Sequence, residues 1–261
     1  MGKPGDDTAV KHITINNGIK DPSQETTEII CILDRSTSIR TSGLIEKTIE
    51  GFNSFIADQK KLPGKAKLTL CLFDGGTGYG NTGAPGETYE IRHNGIDVKD
   101  VPELNKETFV PKGMTAMWDA IGATIDSVST RLSKISAEEK PDKVVILVMT
   151  DGQENSSKEY NQSSVQSLIK KHKENDQWAF IFIGANIDVM ATGGSMGVTM
   201  GNTRGYSGTS AGVSMAFATM SSSVKSFRSM SKNDVNYSVA VDNLVANSDV
   251  KTEELDKSDK S

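Results

Sequence analysis

Four stretches of this chain are short, rich in β-branched or aromatic side chains and nearly continuous in apolarity: Glu28–Leu33, Lys67–Phe73, Val144–Met149 and Trp178–Ile183. Runs without alternation predict strands covered on both faces. Between them apolar residues recur at three- and four-residue steps. The first series is Leu44, Ile45, Thr48, Ile49, Phe52, Phe55 and Ile56, and the second is Met117, Ile121, Ile125, Val128, Leu132 and Ile135. A shorter series is Val165, Leu168, Ile169 and His172, and the last is Val213, Phe217, Met220, Val224 and Phe227. That spacing predicts amphipathic helices. Strands alternating with such helices imply parallel crossovers, so the expected fold class is α/β: an open, mostly parallel, doubly wound sheet with helices on both faces.

The segment Glu87–Ile96 alternates weakly and contains His93-Asn94-Gly95, a hairpin-type turn, which predicts one antiparallel edge strand. Three regions are expected. Residues 1–26 form an N-terminal extension in which Ile13-Thr14-Ile15 before Asn17-Gly18 suggests a small hairpin, and residues 27–230 form the domain. Residues 231–261 form a C-terminal tail: alternating Val235, Tyr237, Val239 and Val241 suggest an edge strand, and polar Asn247–Ser261 has little to bury, so disorder is expected there.

Composition narrows the classes. The chain is 36% apolar and 24% charged with a formal net charge of −5, a soluble globular balance. Its longest apolar runs, Ile29–Leu33 and Val144–Met149, fall far below the roughly 18 residues that a membrane-spanning helix requires. The opening Met1-Gly-Lys-Pro-Gly-Asp-Asp7 lacks the apolar stretch of a secretory signal, so a cytoplasmic location is expected. Cys31 and Cys71 lie inside apolar runs and read as buried free thiols. The acidic balance, without a Lys/Arg stripe, argues against nucleic acid as a partner, and Lys170-Lys171-His172-Lys173 reads as a solvated helix end. What remains is an excess of hydroxyls: 28 Ser and 22 Thr.

Some of those hydroxyls stand where strands end. The first buried strand runs into Asp34-Arg35-Ser36-Thr37-Ser38, and alternate side chains of an extended segment share a face, so Asp34, Ser36 and Ser38 are expected to converge. In open α/β sheets that carboxyl edge is where ligands bind. The third buried strand ends in Thr150-Asp151-Gly152, and Gly113-Met114-Thr115-Ala116-Met117-Trp118-Asp119-Ala120 offers a further hydroxyl just before a helix. Together these make an oxygen cluster suited to a small divalent cation. Each motif alone also reads as helix capping or an Asp-Gly turn.

The Asp-x-Ser-x-Ser at 34–38, the Gly-x-Thr-Ala-x-x-Asp-Ala at 113–120 and the Thr-Asp-Gly at 150–152 resemble, in order and spacing, the metal-ion-dependent adhesion site of von Willebrand factor type A (vWA) domains. Similar proteins occur in bacterial and phage settings. The resemblance covers about residues 27–230. It implies that Ser36, Ser38 and Thr115 bind the metal directly or nearly so, with Asp34 and Asp151 acting directly or through waters. The ion expected is Mg²⁺, with Mn²⁺ or Ca²⁺ as alternatives, and the implied partner is a protein whose Asp or Glu completes the coordination. Loops 75–87, 113–117 and 152–160 would surround the ion, with Gly113, Met114, Gly152, Gln153 and Glu154 as the binding rim.

Enzyme signatures fail. The second position of the first motif is Ser36, where a haloacid-dehalogenase-type phosphatase requires Asp, and His12, His93 and His172 make no zinc spacing. No nucleophile elbow and no phosphate loop with Gly-Lys-Ser/Thr occurs, and Gly78-Tyr-Gly80-Asn-Thr-Gly83 is followed by Pro85-Gly86 where a dinucleotide fold needs its helix. A binding module, not an enzyme, is therefore expected. The alternatives are an assembly subunit that forms homo-oligomers through residues 209–230 or the terminal strands, and a metal-dependent hydrolase.

Overall fold

The computed structural model describes residues 21–76 and 88–248. Six strands form one sheet: β1 (Thr26–Asp34), β2 (Lys65–Phe73), β3 (Tyr89–Asp97), β4 (Lys143–Thr150), β5 (Ala179–Gly184) and β6 (Thr203–Gly205). Their spatial order is β3-β2-β1-β4-β5-β6. All pairs are parallel except β2 with β3, so the four apolar runs take the middle of the sheet and the predicted antiparallel strand takes one edge.

Helices cover both faces, which is why the central strands carry apolar side chains in both directions. On one face α2 (Ile45–Lys61), α6 (Ser210–Ser229) and the short α7 (Tyr237–Val241) pack over Ile29, Cys31 and Leu33 of β1. On the other, α3 (Met117–Ser133) and α4 (Gln162–Asp176) cover Ile30 and Ile32. Two shorter helices complete the set, α1 (Thr37–Thr41) directly after β1 and α5 (Val189–Ser195) after β5. Cys31 and Cys71 are buried free thiols.

Three local expectations are corrected. His93-Asn94-Gly95 is not a turn but an irregularity inside β3, where the pairing with β2 shifts register and Gly95 takes φ +74°. Val235–Val241 forms no edge strand: its second half is α7, with Tyr237 and Val241 buried while Val235 and Val239 face solvent. A short period-two run also contains the i, i+4 pair of a helix, and here Leu244 and Val245 extend the buried face, so the packed unit continues past residue 230. His172 is not solvated with its lysine neighbours. It is buried, stacks on Trp178 with ring centroids 4.1 Å apart, and bonds through Nδ1 to Asp176 at 2.6 Å. The Ile13–Ile15 hairpin, residues 249–261 and most of the loop 75–87 lie outside the described residues.

At the amino edge of the sheet two buried cations, Lys143 and Arg228, donate to backbone carbonyls at and just after the ends of α6 and α2. Lys143 Nζ pairs with Glu25 at 2.8 Å and donates to the carbonyls of Arg228 (2.9 Å) and Met230 (2.7 Å). Arg228 in turn donates to the carbonyls of Gln59, Pro63 and Gly64, tying the end of α6 to the end of α2.

The α2–α6 contact depends on one missing side chain. A Cβ on Gly51 would overlap the Phe217 ring, which is 3% exposed. Gly51→Ala is expected to cost about 1–3 kcal/mol by overpacking, lowering the thermal midpoint by several degrees. Gly194→Ala, with nothing within 4 Å of its Cβ, serves as the control and leaves the midpoint unchanged or slightly raised.

Candidate metal centre

Because β1 and β4 are neighbours with Leu33 opposite Met149, their ends deliver Asp34, Thr150 and Asp151 to one place. Asp34 Oδ1 accepts the Ser36 N–H at 2.7 Å, and Asp34 Oδ2 accepts the Thr150 hydroxyl at 2.6 Å. Ser36 holds the first position before α1 in an extended conformation, yet its hydroxyl makes no capping bond. It lies 2.7 Å from Ser38 Oγ, which donates to Asp151 Oδ1 at 2.5 Å. The hydroxyls are thus turned inward toward the carboxylates and away from the helix end, so helix capping does not describe Ser36.

The third segment arrives through backbone bonds. Thr115 N donates to Asn155 Oδ1 at 2.9 Å and Asn155 N to the Thr115 carbonyl at 3.0 Å. The Thr115 hydroxyl lies beside the 150–152 turn, 3.4 Å from where a Cβ of Gly152 would stand. Gly113, at φ +65°, gives its carbonyl to the Thr37 N–H and packs so close to the Gly76 carbonyl that no side chain fits. Asp34, Ser36, Thr115 and Asp151 are buried and Ser38 is half-buried.

The rim divides. Met114 is 52% exposed and Gln153 is also exposed, while Gly113 and Gly152 are half-buried. Glu154 does not face outward as a rim contact. Its oxygens accept the N–H groups of Trp118, Ser156 and Ser157 and the Ser157 hydroxyl, because the first turn of α3 presents unpaired donors that a carboxylate satisfies. Asp119, the aspartate of the 113–120 motif, is fully buried and likewise structural: it accepts the N–H groups of Lys158, Glu159 and Tyr160 at 2.8–2.9 Å.

Several contributors carry no periodic signal in the sequence. Arg35 bonds to the buried Asp74 at 2.8 Å and to Glu90 at 2.7 Å, fastening the end of β1 to β2 and β3. Asn186, at φ +57°, donates from Nδ2 to the Asp151 carbonyl at 3.1 Å, and the Tyr206 hydroxyl donates to the Thr150 carbonyl at 3.2 Å. Only the residue types and the strand-end position of Thr150 were legible in advance.

The electrostatics favour a cation. Burial pushes the Asp34 carboxyl up to about 6, against hydrogen bonds from Ser36 and Thr150 and with a further push from the charge of Asp151. Burial also raises Asp151, partly offset by the Ser38 hydrogen bond. Asp151 Oδ2 is buried without a hydrogen-bond partner. Among the described residues no group of three or more His, Cys, Asp or Glu side chains is placed to hold a metal, so the donor set is two carboxylates and neutral hydroxyls. That all-oxygen chemistry fits Mg²⁺, Mn²⁺ or Ca²⁺.

The architecture is that of vWA domains. Two solved structures similar to it are of proximal thread matrix protein 1 from the mussel byssus. One superposes with TM-score 0.52 and 12% identity over 76% of this chain and 48% of that chain. The other, described as having a zinc-occupied MIDAS motif, gives TM-score 0.50 and 14% identity over 77% and 46%. The SpRpn10 VWA domain is also similar, at TM-score 0.46 and 11% identity over 75% of this chain and 94% of that one. The chain spans about half the length of the mussel structures. No family model and no curated protein sequence matches it.

Metal-free protein should show the cost of the buried charge. With its folded value near 6 against an ordinary 3.8, Asp34 adds stability that is complete below pH about 4 and is lost as pH rises through 6. Asp34→Asn keeps the bond from Ser36 and lets Thr150 turn its hydroxyl to the Gly152 carbonyl, 3.1 Å away. In chelator, urea unfolding should find this variant about 1–3 kcal/mol more stable than wild type at pH 8, with the difference vanishing by pH 4. A less stable variant at pH 8 would mean that the hydrogen bonds to the ionised carboxylate outweigh its burial.

Proposed function

We propose that this chain is a metal-dependent protein-binding module. The observation that carries the reading is the buried, unpartnered Asp151 Oδ2 in a cluster of inward-turned hydroxyls at the sheet's carboxyl edge. Asp34, Ser36, Ser38, Thr115 and Asp151 would hold a divalent cation, with Mg²⁺ or Mn²⁺ favoured over Ca²⁺ because only two of the five side chains carry charge. Such an ion, when bound, offers an electrophilic coordination position to an Asp or Glu of a partner protein. The chain's own part is to hold the oxygens in place: Thr150 fixes Asp34, Ser38 fixes Asp151, and Asn155 fixes Thr115.

The partner would meet Met114, Gln153 and the edges of Gly113 and Gly152, with Glu154 supporting the surface from beneath. Binding rather than catalysis is proposed because, among the described residues, the cluster brings no histidine with it. His93 sits within β3, and His172 is stacked on Trp178 under α4. A role as a homo-oligomeric assembly subunit through α6 is less well supported, since Val213, Phe217, Met220, Val224 and Phe227 are spent on the core. No helix among the described residues is long and apolar enough to cross a membrane. A cytoplasmic protein of bacterial or phage type, free of nucleic acid, remains part of the proposal.

Calorimetric titration with Mg²⁺ and Mn²⁺ should give saturable heats for wild type that Asp34→Ala and Asp151→Ala abolish; heats unchanged in both variants would remove the metal site. Affinity capture from the native host should then retain a partner in Mg²⁺ and lose it in chelator or with Asp151→Ala. Capture that ignores chelator would remove the metal-bridged mechanism.

A further inference from the structure

The second carboxylate of the site is carried on a turn whose backbone is held by two loops outside the three motifs. The Thr150 carbonyl accepts two hydrogen bonds, from the Ala185 N–H at 3.0 Å and from the Tyr206 hydroxyl at 3.2 Å. The next carbonyl, that of Asp151, accepts Asn186 Nδ2 at 3.1 Å. These two carbonyls flank the Cα of Asp151, so their directions set where its carboxylate points. The same residue Thr150 also holds Asp34 through its hydroxyl. A shift of the turn would therefore move both carboxylates together.

Both outer residues are built for this position. Asn186 is one of two described non-glycine residues with positive φ, at 57°, a conformation that Asn adopts more readily than most. Gly208 packs against it: a Cβ there would stand 3.2 Å from Asn186 Nδ2. Tyr206 follows β6, and its N–H is fixed to the Gly184 carbonyl at 2.9 Å. Its ring packs on the apolar core while its hydroxyl reaches the strand end of β4. Burial, and then the charges of Asp151 and Asp34, push that hydroxyl well above its ordinary range, so it stays a neutral donor.

We propose that Tyr206 and Asn186 are positioning residues for the metal centre, clamping the carbonyls of Thr150 and Asp151 so that the Asp34 and Asp151 carboxylates keep the spacing that a small divalent cation requires. This rests on the metal-binding reading of the site. Neither residue touches the ion; each acts through the turn. Outer partners of metal ligands typically contribute about 10–100-fold to affinity. Mg²⁺ demands near-ideal octahedral geometry at short distances while the larger Ca²⁺ takes a flexible one, so loosening the turn should weaken ions smaller than Ca²⁺ most.

The test uses Tyr206→Phe, which removes only the hydroxyl, and Asn186→Gly, which keeps the backbone free to adopt positive φ while removing the amide. Mn²⁺ binding is read from the loss of the free-ion electron paramagnetic resonance signal, Ca²⁺ binding by calorimetry, and folding by thermal melting in chelator. Each variant should bind Mn²⁺ about tenfold more weakly, with Ca²⁺ affinity changed less and the bound-Mn²⁺ spectrum broadened. Wild-type Mn²⁺ affinity in both variants would overturn the inference, whatever happens to the melting temperature. A drop in melting temperature with affinity intact would assign both residues a structural role only. If wild type itself binds no Mn²⁺, the metal-centre reading fails first, and this result is distinct from the variant outcome.

Discussion

The parallel pairing of β1 with β4 is the constraint on which the rest of the molecule depends. Both strands are buried on both faces and lie at the centre of the sheet, and their register sets Leu33 against Met149. Asp34 is then level with Thr150, and Asp151 stands one residue beyond. A slip of one residue would turn every side chain of a strand to the opposite face, pulling the apolar residues off their helices. The packing that stabilises the sheet is therefore the same packing that sets the distance between two carboxylates from segments over a hundred positions apart in sequence.

Those carboxylates are held at an energetic disadvantage. Burial raises both, and the hydrogen bonds from Ser36, Thr150 and Ser38 offset it only in part. Local destabilisation of this kind is characteristic of functional sites, where the rest of the fold must supply the stability that the site lacks. At the opposite edge of the sheet the buried charges include two cations. Lys143 and Arg228 are buried with their donors on carbonyls and, for Lys143, on Glu25. The two ends of the sheet thus differ in kind: buried cations on carbonyls and a carboxylate at the amino edge, and two carboxylates among hydroxyls at the carboxyl edge.

Around the cluster a second set of polar groups fixes the loops. Asp119 and Glu154 each gather several backbone N–H groups from the 156–160 segment and the start of α3, and Arg35 joins the ends of three strands through Asp74 and Glu90. These acidic residues serve as anchors for backbone donors. That explains why a chain of net charge −5 presents so little of its acidity at the site: the carboxylates nearest to it point inward, at N–H groups, at Arg35 or at hydroxyls.

Much of this was legible in the sequence, because the information is local. Continuous apolar runs identify two-sided strands, three- and four-residue steps identify the helices, and Asp34, Ser36, Ser38, Thr115 and Asp151 stand at strand ends or before a helix where only the order of elements is needed to bring them together. The short elements escaped for the same reason. β6 has three residues and α5 seven, too few for a period to show, and α7 hides in an alternating run that serves a strand or a helix equally well until neighbours choose. Tertiary structure alone decided which polar residues are spent as anchors and which remain exposed. Glu154 and Gln153 are neighbours of similar character, yet one is drawn under α3 by unpaired N–H groups and the other is left in solvent. Tyr206 and Asn186 reach Thr150 and Asp151 only because β5 lies beside β4 and β6 beside β5. A hydrogen bond between distant segments depends on where the packed sheet puts two atoms, and no spacing along the chain encodes that.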